Sequence, residues 1–235
     1  MKAPFIRYTF PIVLTLGFLA AGCSQESNPV NECAKAPEVF LKEQVPGNAR
    51  VSVSIRIDAG LSQAPPSYAL WARYPDGTVE SIYATCKASL GYPGNPASYS
   101  ESLPVWYGIR ESEGLTPGTP GLDAITTATP TRDVFSIRWE PRSGINGDTV
   151  QLFLEANMPN DYNDYFNTSL GTNGQPSLIW FTSFVWDSDS LRIVRPTIIV
   201  GRSDPKGKSS SIFSDRNGIT SAQNIIEALE VKTVR

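Results

Sequence analysis

Val51, Val53, Ile55 and Ile57 alternate with Ser52, Ser54, Arg56 and Asp58, and this period of two constrains the chain more than any other feature. In an extended strand successive side chains point to opposite faces, so the segment has one apolar face to bury and one polar face to wet. The pattern recurs. Val134 to Glu140 sets Phe135, Ile137 and Trp139 against Val134, Ser136, Arg138 and Glu140, and Val150 to Ala156 reads as its hairpin partner across the turn-rich Ser143 to Asp148. Ser67 to Tyr74 and Thr78 to Thr85 flank Pro75-Asp76-Gly77. Proline presets one dihedral there and glycine accepts a positive one, so a hairpin is expected. Ser177 to Asp187 and Leu191 to Gly201 are the longest apolar runs; they read as adjacent central strands, with Pro196 marking a bulge or an edge in the second.

Leu103 to Arg110 is a further apolar and aromatic run, and Leu115 to Gly121, broken by Pro117 and Pro120, is a loop. In the tail, Ser221 caps Ala222 to Leu229, whose helix formers and apolar Ile225, Ile226 and Leu229 predict one short C-terminal helix. Val231 to Val234 then closes the sheet. Many short strands with Gly and Pro punctuation and one minor helix predict an all-β fold: an antiparallel, immunoglobulin-like β-sandwich over residues 48–235.

The start of the chain has another logic. Lys2 and Arg7 precede an apolar run from Ile12 to Ala21 that is short for a permanent membrane span, and Leu19-Ala20-Ala21-Gly22-Cys23 supplies small residues and then a thiol. This resembles a bacterial lipobox. It predicts a signal peptide over residues 1–22, with Cys23 carrying diacylglycerol and palmitate-type acyl chains; a plain secretory signal with an incidental cysteine is the alternative. Residues 23–47, with Pro29, Pro37 and Pro46, read as a tether. Ser24 after the lipidated cysteine favours the outer membrane, either its periplasmic face or the cell surface.

Removing the signal leaves 213 residues, suited to a single domain, and takes the net charge from −3 to −5. An acidic chain has no electrostatic reason to bind nucleic acid. Cys33 and Cys86 remain. In an oxidising compartment they suggest a disulfide, which chain entropy values at about 4 kcal/mol at most. Free thiols or a redox pair are the other reading.

The chain contains no histidine, which excludes Ser-His-Asp and Cys-His nucleophile systems and His-ligated zinc. Carboxylates remain. Asp161 and Asp164 in an Asn/Asp/Tyr stretch, and Asp187 and Asp189 between the long strands, are weak candidates for a hard cation, though neither has a calcium-loop register and both suit ordinary turns. No spacing points to a carboxylate-pair glycosidase. Trp71, Tyr74, Trp106, Tyr107, Trp139, Trp180 and Trp186 either line a ligand groove or fill the core.

Several separated stretches add up. Tyr68-Ala69-Leu70-Trp71 with Pro75-Asp76-Gly77, then Asp123 to Pro130, Asn173-Gly174-Gln175-Pro176-Ser177-Leu178 and Gly218-Ile219-Thr220-Ser221-Ala222 resemble the bacterial periplasmic domain-of-unknown-function family 2271, from about Arg50 to Val234. The resemblance implies a secreted or lipid-anchored β protein with membrane and flavin-transferase neighbours, hence a redox setting. Asp123, Thr126, Ala128 and Thr129 are also similar to the motif to which flavin transferases attach FMN: Asp, two residues, Ser or Thr, Gly, Ala, Thr. Thr127 stands at the glycine position, where glycine would give the backbone freedom and closeness. Thr129 is therefore a candidate FMN acceptor, against the plainer reading of a threonine-rich strand edge. The reading that follows is a non-catalytic, lipid-anchored binding or accessory module of the cell envelope with no resident cofactor required and a protein partner in the envelope. The alternative is an electron-transfer protein flavinylated at Thr129.

Overall fold

The computed structural model describes residues 39–43, 45, 47–57, 66–85, 88, 102–113, 125–127, 134–187, 193–194 and 198–233. Among these, eleven strands and one α-helix follow in the order β1 (Val39–Lys42), β2 (Val51–Ile57), β3 (Ser67–Arg73), β4 (Val79–Thr85), α1 (Pro104–Ser112), β5 (Ile125–Thr127), β6 (Val134–Trp139), β7 (Thr149–Asn157), β8 (Leu178–Val185), β9 (Ile193–Val194), β10 (Ile198–Arg202) and β11 (Ile226–Thr233). They form a five-stranded sheet, β1-β6-β2-β11-β9, and a six-stranded sheet, β10-β8-β7-β3-β4-β5. The architecture is mostly β, two sheets and one short helix, consistent with a sandwich.

The period-two segments form strands as expected. Val51, Val53 and Ile55 of β2 are fully buried, with Phe135, Ile137 and Trp139 of β6 beside them. From the other sheet Tyr68, Leu70, Leu152, Leu154 and Trp180 meet them in one core. Phe135 lies edge-on to Phe40 at 6.0 Å and tilted against Tyr68 at 5.8 Å, so aromatic rings join the sheets. Each such side chain contributes about 1.5–3 kcal/mol of apolar burial. The Pro75-Asp76-Gly77 hairpin forms as predicted: β3 pairs antiparallel with β4, Gly77 has φ 83°, and Asp76 Oδ1 accepts from the Thr78 N–H.

Four expectations need correction. First, the C-terminal helix over 222–229 is absent: Ser221–Asn224 is a short 3-10 turn and β11 begins at Ile226. A register shift between Ile226 and Ala228 moves buried Ile226 and Leu229 three apart, a spacing that mimics a helical face, and pairing with β2 and β9 overrides local propensity. Second, the helix is Pro104–Ser112 instead, within the Leu103 to Arg110 run and just past it, where Pro104 sits in the first turn and lacks an N–H that would have no partner inside the helix. Third, β6 and β7 are not a hairpin, since β6 belongs to the five-stranded sheet and β7 to the other. The link between them crosses the sandwich edge, held by Gly147 N–H to Trp186 O at 2.7 Å and Arg142 to Asp76 at 2.7 Å. Fourth, Leu191 to Gly201 splits. β9 joins β11 in one sheet while β10 flanks β8 at the edge of the other. In addition, Val39–Lys42, within the stretch read as tether, pairs in parallel with β6.

The outward face of the six-stranded sheet is also covered in part. Leu103, Val105 and Trp106 of the α1 region pack on Ala69, Trp71, Ala84, Phe153 and Ile179 as a second apolar cluster.

Candidate functional site

The connection from β7 to β8, residues 158–177, is the most elaborately built loop of the described chain. Asn160 turns it with φ 63°, unusual for a residue with a side chain. Asp161 is the hub. Its carboxylate accepts from Ser221 Oγ at 2.7 and 2.8 Å and from Gln175 Nε2 at 2.7 Å. Gln175, buried, also accepts the Thr220 N–H through Oε1 at 2.7 Å, and its own N–H donates to Asp161 O at 2.9 Å. Asn163 adds a second tie, Nδ2 donating to Gly218 O at 2.9 Å, while its Oδ1 accepts from the Tyr165 and Phe166 N–H groups. Asn167 caps the turn Thr168–Leu170.

These bonds fix the loop against residues 218–221. What they hold out to solvent is apolar: Tyr162 is 41 %, Tyr165 57 % and Leu170 52 % exposed. Tyr165 rests on Gly218, where a Cβ would lie 2.3 Å from the ring, so only glycine permits the contact. Exposed tyrosines on a backbone that is already ordered give contact area at little entropic cost, which is how binding loops gain affinity.

A second polar centre lies under α1. Glu155 of β7 is fully buried, accepts from the Trp106 N–H at 2.7 Å and the Val105 N–H at 3.3 Å, and receives Ser177 Oγ, which also contacts Ser203 Oγ at 2.7 Å. Glu155 thus supplies the cap that Leu103 does not provide to the helix N-terminus. Burial pushes its carboxyl up to about 7, against the pull of these hydrogen bonds. At the other end of α1, Glu113 accepts from Ser81 N–H and Oγ, both at 3.1 Å, and burial raises its pKa as well. A third centre joins the sheets. Glu80 receives Lys42 Nζ at 2.7 Å, Trp139 Nε1 at 3.3 Å and the Tyr74 hydroxyl.

The residues singled out from sequence fare differently. Trp71, Tyr74, Trp106, Tyr107, Trp139, Trp180 and Trp186 are all buried, so they are core and not a groove. Asp161 has its oxygens taken up by the loop; Asp164 is exposed and contributes its backbone carbonyl to Asn167; Asp187 follows β8, half-buried. Among the described residues no three acidic or thiol side chains gather in a metal-binding group. Cys23, Cys33, Cys86, Thr129 and Asp189 lie outside the described residues. Thr126 and Thr127 are strand β5, parallel to β4. Sequence reasoning missed Glu155, although one acid inside the apolar Leu152-Phe153-Leu154-Glu155-Ala156 was a visible signal. The stretches 173–178 and 218–222, far apart in the chain, meet at the Asp161 hub.

Compared with protein-family models, curated proteins and solved structures, the chain matches none.

Proposed function

We propose that this chain is a lipid-anchored, non-catalytic binding or accessory module of the bacterial cell envelope. Cys23 holds it to the membrane, and a sandwich of immunoglobulin-like character presents the 158–177 loop to an envelope protein. The observation that carries this reading is the loop itself: Asp161, Gln175, Asn163 and Ser221 are used to order it, and Tyr162, Tyr165 and Leu170 are what it offers. The polar groups Glu155 and Glu80 are likewise engaged in holding α1 and joining the sheets. The redox setting implied by the resemblance supplies the class of partner, a flavin- or metal-dependent membrane system.

Photo-crosslinking in the native host tests it. A photoreactive residue at Tyr162 or Tyr165 should give one discrete heavier species that a probe at Ser52, on the outward face of β2, does not give. Equal labelling at both positions, or none at the loop, overturns the reading.

A further inference from the structure

Strand register places a row of side chains across the outward face of the six-stranded sheet. Ile198 of β10 pairs with Phe181 of β8, Phe181 with Phe153 of β7, and Phe153 with Trp71 of β3. Directly paired residues point to the same face, so the four form one apolar strip. Three strand spacings make it roughly 14 Å long. The rings are in contact: Trp71 and Phe153 stack with centroids 5.5 Å apart and planes within 7°, and Phe153 meets Phe181 at 5.0 Å. Beneath α1 the strip is closed, Trp71 being 1 % exposed. It opens toward β10, through Phe153 at 8 % and half-buried Phe181 to Ile198 at 64 %.

A polar row runs beside it, one pleat further along the strands. Ser183 pairs with Gln151 and Gln151 with Arg73. Ser183 and Arg73 are exposed and Gln151 is half-exposed. The Arg73 guanidinium lies 5.4 Å from the Phe153 centroid, and among the described residues it has no carboxylate within ion-pairing distance. A cation stacked on an aromatic face keeps its in-plane N–H groups free to bind an anion.

Two parallel rows, one apolar and aromatic, one hydrogen-bonding and cationic, match a ligand with the same division. A pyranose chain bearing carboxylates has it: C–H faces for Phe181 and Ile198, hydroxyls for Gln151 and Ser183, and a carboxylate for Arg73. We infer that this face binds an acidic oligosaccharide, a second binding surface that stands independently of the 158–177 loop. A peptide would add to a strand edge through its backbone, a mode that needs neither the apolar nor the polar row, and at the end of β10 the Arg202 N–H and carbonyl are already paired with Phe213.

Isothermal titration calorimetry on the full-length protein in detergent tests the inference, with tri-galacturonate and a cellouronate trimer as acidic probes, their neutral counterparts galactotriose and cellotriose, and an acidic hexapeptide. At least one acidic sugar should bind at least tenfold more tightly than its neutral counterpart. Arg73→Gln should abolish that preference, and Phe181→Ala should weaken binding at least fivefold, with both variants melting within a few degrees of the wild type. Should Phe181→Ala unfold the domain, Ile198→Ser provides the apolar test at an exposed position. Absence of binding by both acidic sugars, equal binding of the neutral ones, tighter binding of the hexapeptide, or binding insensitive to Arg73→Gln each overturns it.

Discussion

Glu155→Gln isolates the energetics of the buried carboxylate that caps α1. Two effects oppose one another there. Burial disfavours the charged form, whereas hydrogen bonds from Ser177, Trp106 and Val105 favour it; burial wins and lifts the carboxyl from an ordinary 4.5 to about 7. A raised pKa means that the folded state binds a proton more readily than the unfolded chain. This contribution to stability is therefore full below pH 4.5 and is lost as pH rises through 7. For a shift of this size, lowering the pH from 8 to 5 should stabilise the wild type by about 2.5 kcal/mol through this residue alone. Glutamine keeps the shape, accepts through one oxygen where the carboxylate uses two, and does not titrate. Urea unfolding of both proteins at pH 5, 6, 7 and 8 is the assay, because other titrating groups cancel in the difference between them. The wild-type midpoint should rise relative to Glu155→Gln by roughly 1 M urea between pH 8 and pH 5, given an m value of about 2–3 kcal/mol per M. A difference that stays flat, or one that favours the wild type at high pH, would refute the reasoning. It would mean that the helix N-terminus holds Glu155 ionised.

Other consequences can be checked together. Gly174→Ala should cost about 2–3 kcal/mol in denaturant unfolding, since φ is +107° and a Cβ would sit 2.8 Å from the Asp161 nitrogen. Gly77→Ala, with φ +83° and nothing within 4 Å, should cost only about 1 kcal/mol. Gln175→Ala leaves Asp161 and the Thr220 N–H short of partners and should cost about 2–3 kcal/mol while speeding amide exchange across residues 160–166. Intact mass from the native host, with and without reduction, should show acyl chains on Cys23 and a two-hydrogen deficit for a Cys33–Cys86 bridge; a flavin-sized excess at Thr129 would replace the binding reading with electron transfer.

How legible the molecule was in its sequence depended on the range of the forces involved. Strand β2 and the β3–β4 hairpin could be read directly, because period two and the Pro75-Asp76-Gly77 turn are local properties of a few adjacent residues. The destination of each strand could not. Nothing between Glu140 and Asp148 says that the chain changes sheets, and β9 and β10 separate within one apolar run because each finds a different partner. β11 shows the same limit in reverse: its helix-forming composition yields to the ladders on either side.

The candidate site divides the same way. Histidine-free composition and the lipobox-like run Leu19 to Cys23 are statements about residue types, and these narrowed the chemistry and suggested a location before any fold was known. The hub at Asp161 needed tertiary structure, since its partners Gln175 and Ser221 lie 14 and 60 residues away. So did the outward-facing row from Ile198 to Trp71, which exists only once four strands stand in register. Chain chemistry by itself determined that segments with a clear period of two, such as β2 and β6, extend, that Pro75-Asp76-Gly77 turns, and which reactions lack a residue. Folding decided which distant groups touch, because closing a long loop is favourable only when many burials and hydrogen bonds act together.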